Sequence, residues 1–203
     1  NELLPKRGQF YQEMNPESKM IVGDIRDKNI KREFLKNIDK NVKFLIATPP
    51  CQGISNLGKN RTLDDKLKDE RNYLIFDVMD VIDKKDFDYI MIENVPGFFK
   101  VLLPYNDELS TVKEILEDKY SNKYNIEMKV LNAKDYGVPQ SRPRAITIMY
   151  KKNKQWKWPR KQKEITLKEA IGHLPSLESG EKSDIKYHNS RKHLDTHVLW
   201  MKH

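Results

Sequence analysis

At 203 residues the chain has the size of one ordinary domain, and 37% apolar against 33% charged residues allows one core under a polar surface. Lys and Arg outnumber Asp and Glu by 38 to 30, a formal charge of +8 that favours a polyanionic partner. A single cysteine excludes an intramolecular disulfide framework and fits a reducing compartment, and no apolar run approaches membrane-spanning length, so a cytoplasmic protein with no membrane contact is expected. Met20-Ile21-Val22 reads as a strand that ends at Gly23-Asp24, and Val42 to Ile46 as a second that runs into Thr48-Pro49-Pro50. Residues 71–82, "RNYLIFDVMDVI", place Leu74, Val78 and Val81-Ile82 on one helical face. Phe87 to Ile92 predicts a third strand, "TVKEILEDKY" a helix, and "IEMKVL" and "RAITIMY" two further strands around "NAKDYGVPQS". Strands spaced by helices predict parallel crossovers and an α/β sheet, with the last pair able to run antiparallel. The compact domain is expected over residues 1–150, with 151–203 as an extension that begins in the basic, tryptophan-containing "KKNKQWKWPRKQK".

In such sheets ligands sit beyond the carboxyl ends of the strands, where Asp24, Cys51 and Glu93 all fall. Cys51 follows two prolines and precedes Gln52-Gly53. A thiol on a rigid turn above a sheet edge suits a nucleophile, although a lone cysteine is also a common small buried residue. Glu93 ends an apolar strand. It could give a proton or hydrogen bond to a substrate nitrogen, or simply cap a neighbouring helix. Gln140, Arg142 and Arg144 recur at every second residue, so on extended backbone they face one side. Such a row could grip an anion or a carbonyl oxygen, or it could protect an edge strand with charge. His193 and His197 are four residues apart but nothing completes a metal site, and no metal is expected. Trp156 and Trp158 could stack on nucleic acid or anchor a hairpin.

A thiolate, an acid and arginines together suit chemistry on cytosine. Thiolate addition at carbon 6, with a hydrogen bond or proton at N3, makes carbon 5 nucleophilic, and the base must leave the duplex for this to happen. "TPPCQGIS", "IENVPGF" and "NAKDYGVPQSRPRAITIMY", in that order, resemble the Pro-Cys-Gln, Glu-Asn-Val and Gln-x-Arg-x-Arg motifs of the C5-cytosine DNA methyltransferases. "NEL" at 1–3, "GDI" at 23–25 and "RNYLIF" at 71–76 resemble that family's cofactor-side motifs, and "TLKEAIGHLPSLESG" resembles the approach to its target recognition region.

The resemblance implies a Rossmann-like S-adenosylmethionine-dependent methyltransferase fold, a mostly parallel sheet with a terminal antiparallel strand, here incomplete. It implies Cys51 as nucleophile, Glu93 on N3 and the exocyclic amine, Arg144 on O2 and a neighbouring phosphate, and Arg142 helping to set Glu93. Glu2 would bind the ribose hydroxyls of S-adenosylmethionine, Asp24 and Ile25 its adenine, and Pro50 and Leu74 would line the cleft. Residues 53–69 would form a mobile loop that closes over double-stranded DNA with Ser55 near a phosphate. Gln52, Asn94 and Gln140 would support the site.

Ile54 stands where the family usually has phenylalanine, and the family's glycine-rich first motif, target recognition domain and closing motifs are absent from these residues. The chain opens without an initiator Met and reads as the middle of a methyltransferase, completed by missing segments or a second chain and not active alone. Lys, Asn and Ile richness suggests a bacterial restriction–modification setting. An RNA cytosine-5 methyltransferase would share the chemistry, and a non-catalytic DNA-binding or assembly subunit of a split methyltransferase would share the fold. A thymidylate-synthase-like enzyme also adds a cysteine to carbon 6, but its characteristic histidine does not follow Cys51.

Overall fold

The apolar alternation that begins at Phe87 builds a central strand whose side chains divide cleanly between two faces of a sheet. A computed structural model describes residues 1–50 and 68–201. Helices α1 (Pro5–Met14) and α2 (Lys28–Lys36) precede β1 (Phe44–Ala47). Helix α3 (Leu74–Lys84) follows a 3₁₀ turn at Glu70–Tyr73 and leads to β2 (Tyr89–Asn94). A hairpin of β3 (Leu102–Tyr105) and β4 (Glu108–Thr111) is followed by α4 (Val112–Tyr120), β5 (Tyr124–Asn132) and β6 (Pro143–Lys151). Two short helices, α5 (Leu167–Ile171) and α6 (Asp195–Met201), complete the described elements. Local chemistry sets several of the starts. Asp27 caps α2 by accepting from the Asn29 and Ile30 amides, and Thr111 with Glu114 forms a capping box on α4. The hairpin turns on Asn106 and Asp107, both left-handed at φ 49° and 64°, the twist that a two-residue connection needs.

The main sheet has the order β1-β2-β6-β5. β1 pairs parallel to β2, whereas β6 is antiparallel to both β2 and β5. β1, β2 and β5 therefore point one way. The reversed strand lies inside the sheet and not at its end, so among the described pairings only one of three is parallel. This corrects the expectation of a mostly parallel sheet with a terminal antiparallel strand. The cause is connection length: the segment between β5 and β6 is too short for a helical crossover, so β6 folds straight back and inserts beside β2. The strand expected at Met20–Val22 is reduced to an isolated parallel bridge between Glu2 and Val22.

One face of the sheet carries Ile90 and Ile92 with Ala145, Thr147 and Met149, all but closed to solvent. Ile75, Met79 and Ile82 of α3 and Val112, Ile115 and Leu116 of α4 complete this core. Each such side chain contributes about 1.5–3 kcal/mol by leaving water. Tyr120 and Tyr124 keep their hydroxyls inside by donating to the Met79 and Phe87 carbonyls. Burial, reinforced by Asp83, raises the Tyr120 phenol above its ordinary pKa.

The opposite face carries Phe44 and Ile46, then Tyr89, Met91 and Glu93, then Ile146, Ile148 and Tyr150, by strand register. The basic segment after β6 crosses it as a strap. The Gln155 carbonyl accepts from the Tyr89 hydroxyl, and Trp156 packs at 6.3 Å from the Tyr89 ring. Trp158 donates from Nε1 to Glu127 at 2.5 Å, and Lys129 sits 4.6 Å from its ring centroid. The two tryptophans are thus engaged with the sheet. Toward β1 the cover ends: Phe44 is 44% and Ile46 56% exposed, and the outer edge of β1 has no strand partner among the described residues.

Candidate active site

Parallel pairing of Ala47 with Ile92 delivers two chain segments to the same end of the sheet, Thr48-Pro49-Pro50 from β1 and Glu93-Asn94 from β2. Asn94 is 3% exposed and joins them: its Nδ2 donates to the Pro49 carbonyl at 3.0 Å, while its Oδ1 accepts from the Val95 amide. The backbone that leads into residue 51 is therefore fastened to the strand that bears Glu93. Cys51, Gln52 and Ser55, and residues 53–67 of the expected loop, lie outside the described residues.

Glu93 points to the strap side of the sheet. Arg144, on the same side of the reversed strand, donates from Nε to Glu93 Oε1 at 2.8 Å and from a terminal nitrogen to the Pro143 carbonyl. The pair is about a quarter exposed (24% and 29%), open enough to meet a ligand and covered enough for a charge-assisted bond to hold its geometry. The guanidinium that sets Glu93 here is Arg144's. Arg142 and Gln140 are exposed on the turn before β6, where the Gln140 amide donates to the Val138 carbonyl. A carboxyl group oriented by a guanidinium, beside a rigid turn, can accept from an exocyclic amine and, when protonated, donate to the neighbouring ring nitrogen on one edge of a planar base.

Asn132, which no motif singled out, fastens the base of this turn. Its Oδ1 accepts from the Arg142 amide at 2.8 Å and the Lys134 amide at 3.4 Å, and its Nδ2 donates to Ser141 Oγ at 3.2 Å. The signal was present as an asparagine ahead of "AKDYG", a cap for the 3₁₀ turn at Ala133–Tyr136, where Gly137 at φ 77° closes the turn in a conformation costly for other residues.

A second cluster forms at the carboxyl end of the Glu2–Val22 bridge. Glu2 accepts the Leu4 amide, and two residues beyond Val22 comes Asp24, then Ile25. Arg26 chelates the Asp24 carboxylate, with a terminal nitrogen at 2.6 Å, and reaches Glu70 at 2.8 Å. Hydrogen bonding to Arg26 holds the Asp24 carboxyl below the ordinary range. This link ties Asp24 to the 3₁₀ turn that leads into Leu74 at the start of α3. Two carboxylates and an apolar neighbour at one strand end suit a ligand with hydroxyl and amino donors, and Asp24 has to share its oxygens with Arg26.

Among the described residues no group of three or more His, Cys, Asp or Glu is placed to hold a metal ion, and His197 stacks on Trp200 at 5.4 Å. No described helix is long and apolar enough to cross a membrane.

A family model described as C-5 cytosine-specific DNA methylase matches residues 1–203. The chain belongs to that family. The Type II methyltransferase M1.HgaI of Avibacterium volantium is 46% identical over 204 residues, covering 100% of this chain and 57% of the relative. The Type II methyltransferase M1.HphI of Haemophilus parahaemolyticus is 32% identical over 198 residues, 95% of this chain and 50% of the relative. The chain thus spans about half the length of these curated relatives. A solved E. coli structure, described as a prophage-encoded DNA modification methyltransferase, superposes with TM-score 0.54 at 25% identity over 79% of this chain and 43% of its own. Entamoeba histolytica methyltransferase EhMeth superposes with TM-score 0.58 at 21% identity over 80% and 48%, a likeness of fold. These neighbours are consistent with a Rossmann-like methyltransferase fold.

Proposed function

We propose that the chain is the catalytic part of a DNA (cytosine-5-)-methyltransferase of a bacterial restriction–modification system, acting in the cytoplasm on a cytosine turned out of double-stranded DNA. The observation that carries the reading is the Glu93–Arg144 pair, which stands at the strand end where Asn94 fastens the turn before Cys51. In this reading Cys51 supplies the thiolate that adds to carbon 6. Glu93, as the protonated acid, gives N3 its proton as the thiolate adds and accepts from the exocyclic amine, so that electron density moves toward carbon 5, and Arg144 keeps Glu93 in place while meeting O2. Arg142 and Gln140 support the base pocket from the turn before β6, and Gln52 and Ser55 serve the nucleophile turn and a DNA phosphate.

Glu2, Asp24 and Ile25, with Pro50 and Leu74, would hold S-adenosylmethionine, and the acceptor carboxylates at the Glu2–Val22 bridge fit its ribose hydroxyls and adenine amine. When bound, that cofactor supplies the electrophilic methyl group. The open apolar edge of β1 belongs, in the same proposal, beside a strand from further segments of the protein or from a second chain, without which residues 1–203 are inactive. Residues 1–150 form the catalytic core and 151–203 lead toward the region that reads the target sequence.

The test is trapping on an oligonucleotide duplex with 5-fluorocytosine at the target, using the complete enzyme with S-adenosylmethionine. A covalent adduct should form and be lost in Cys51→Ser. An adduct that survives in Cys51→Ser removes the nucleophile assignment, and an adduct with RNA but not DNA replaces the substrate.

A further inference from the structure

We propose that Asn132 is a positioning residue for the arginine-bearing turn, a clasp that closes the neck between β5 and β6 and thereby sets Arg144 against Glu93. The inference rests on the catalytic reading of that pair. Ten residues, 133–142, leave the sheet after Asn132 and return at Pro143, the register partner of Asn132. Only one backbone bond spans the neck directly, from the Ala133 amide to the Arg142 carbonyl at 3.2 Å. The Asn132 side chain adds the rest. Its carbonyl oxygen takes the Arg142 amide from the returning limb and the Lys134 amide from the departing one, while its amide nitrogen reaches Ser141.

The position matters because Arg144 lies two residues beyond the clasped Arg142 amide. A slip there is passed along extended backbone to a side chain whose bond to Glu93 is 2.8 Å long. Pro143, the one residue between Arg142 and Arg144, has its φ fixed by the ring, so displacement at the neck is transmitted to Arg144 instead of being absorbed. The far side of the excursion is held independently by the strap. There the Gln162 amide donates to the Asp135 carbonyl at 2.9 Å and Lys161 pairs with the Asp135 carboxylate. The clasp is therefore specific to the limb that carries Gln140, Arg142 and Arg144. An amide carbonyl at 132 is the essential group. Aspartate can replace it, since its carboxylate accepts from both amides and can accept from the Ser141 hydroxyl in place of donating to it.

Two measurements test this. In the complete enzyme, Asn132→Ala should accelerate hydrogen exchange of the Arg142 amide by about tenfold, as expected when one hydrogen bond is lost, while the amides of Thr147 to Met149 stay within about twofold. Asn132→Asp should retain slow exchange. Unchanged exchange at Arg142, or equal acceleration along β6, overturns the clasp whatever the enzyme does. In the complete enzyme, Asn132→Ala should lower kcat by about tenfold or more with KM for the cofactor within about twofold, and Asn132→Asp should recover most of it. Added to Arg144→Ala, Asn132→Ala should cost nothing further, because it acts through Arg144. Additive losses overturn the positioning role. Normal turnover in Arg144→Ala alone removes the catalytic reading of the pair, and the exchange result still decides whether the clasp exists.

Discussion

Removing the strap's second tryptophan should cost about 3 kcal/mol of folding stability. Trp158 donates to the Glu127 carboxylate, a bond to a charged group worth about 1.5–3 kcal/mol. Its ring lies under Lys129 at 4.6 Å, worth about 0.5–1 kcal/mol at this partial exposure, and meets Trp156 edge to face at 6.2 Å for about as much again. Glu127 keeps its bond from the Tyr150 hydroxyl at 2.9 Å, so the loss falls short of leaving a buried charge alone. Trp158→Ala should therefore lower the melting temperature by about 6–12 °C in a domain of this size, and Trp158→Phe, which loses only the hydrogen bond, by about half of that. Thermal melting followed by far-UV circular dichroism is the assay. A drop below about 2 °C for Trp158→Ala would mean that the ring contacts and the Glu127 bond do not hold the strap, and that the sheet face stands without it.

Thr147 is fully buried in the core with no partner for its hydroxyl among the described residues, so Thr147→Val should stabilise by about 1–2 kcal/mol, and a lower melting temperature would refute the orphaned hydroxyl. Gly23 has φ 144° and a Cβ there would lie 2.7 Å from Ile30 Cδ1; Gly23→Ala should add about 1–3 kcal/mol of strain and weaken cofactor binding by about tenfold in calorimetry on the complete enzyme. Unaltered affinity would mean that the Asp24–Ile25 loop does not meet the cofactor. Side-chain hydrogen bonds hold four carboxyls below their ordinary values: Asp24 by Arg26, Asp80 by Lys84 and Lys31, Asp86 by Lys151 and Lys123, and Asp88 by Lys151 and Lys154. Their stabilisation is complete above the unfolded carboxyl value of about 3.9 and disappears as pH falls through the lower folded values. Denaturant midpoints should therefore stay level from about pH 7 to 5 and fall below about pH 4, and a decline beginning above pH 6 would place the sensitivity elsewhere.

The elements legible in the sequence were those whose apolar residues repeat at one period. Val42–Ile46 and Phe87–Ile92 are strands displaced by one or two residues, and the 71–82 pattern became a 3₁₀ turn and α3. Glu93 stood at the strand end as its position implied, and of the arginine row only Arg144 meets it. Strand direction was not legible, because a strand's apolar pattern is the same whichever way its neighbour runs; only the short link after Asn132 carried that information. The β3–β4 hairpin was hidden by Pro104, which reads as a break, and by a turn of Asn-Asp where Asn-Gly would have announced itself. The strap was disguised by its charge. Seven basic residues suggest a polyanion, but Lys154, Trp156 and Trp158 fall at alternate positions and turn inward together while Gln155 and Lys157 face out.

The edge of β1 left bare among the described residues also bears on how residues 1–203 by themselves would meet their own copies. Phe44-Leu45-Ile46-Ala47 offers a backbone edge with no strand partner among the described residues and two exposed apolar side chains, the ingredients of edge-to-edge association. It is four residues long, shorter than the six or seven that stack into fibrils. Lys43 precedes it, and Pro49 and Pro50 follow within three residues, so a neighbouring strand that docks there finds a charge at one end and no amide donors at the other. Such an edge can accept one short strand and cannot propagate the pairing, which favours finite assemblies over fibres.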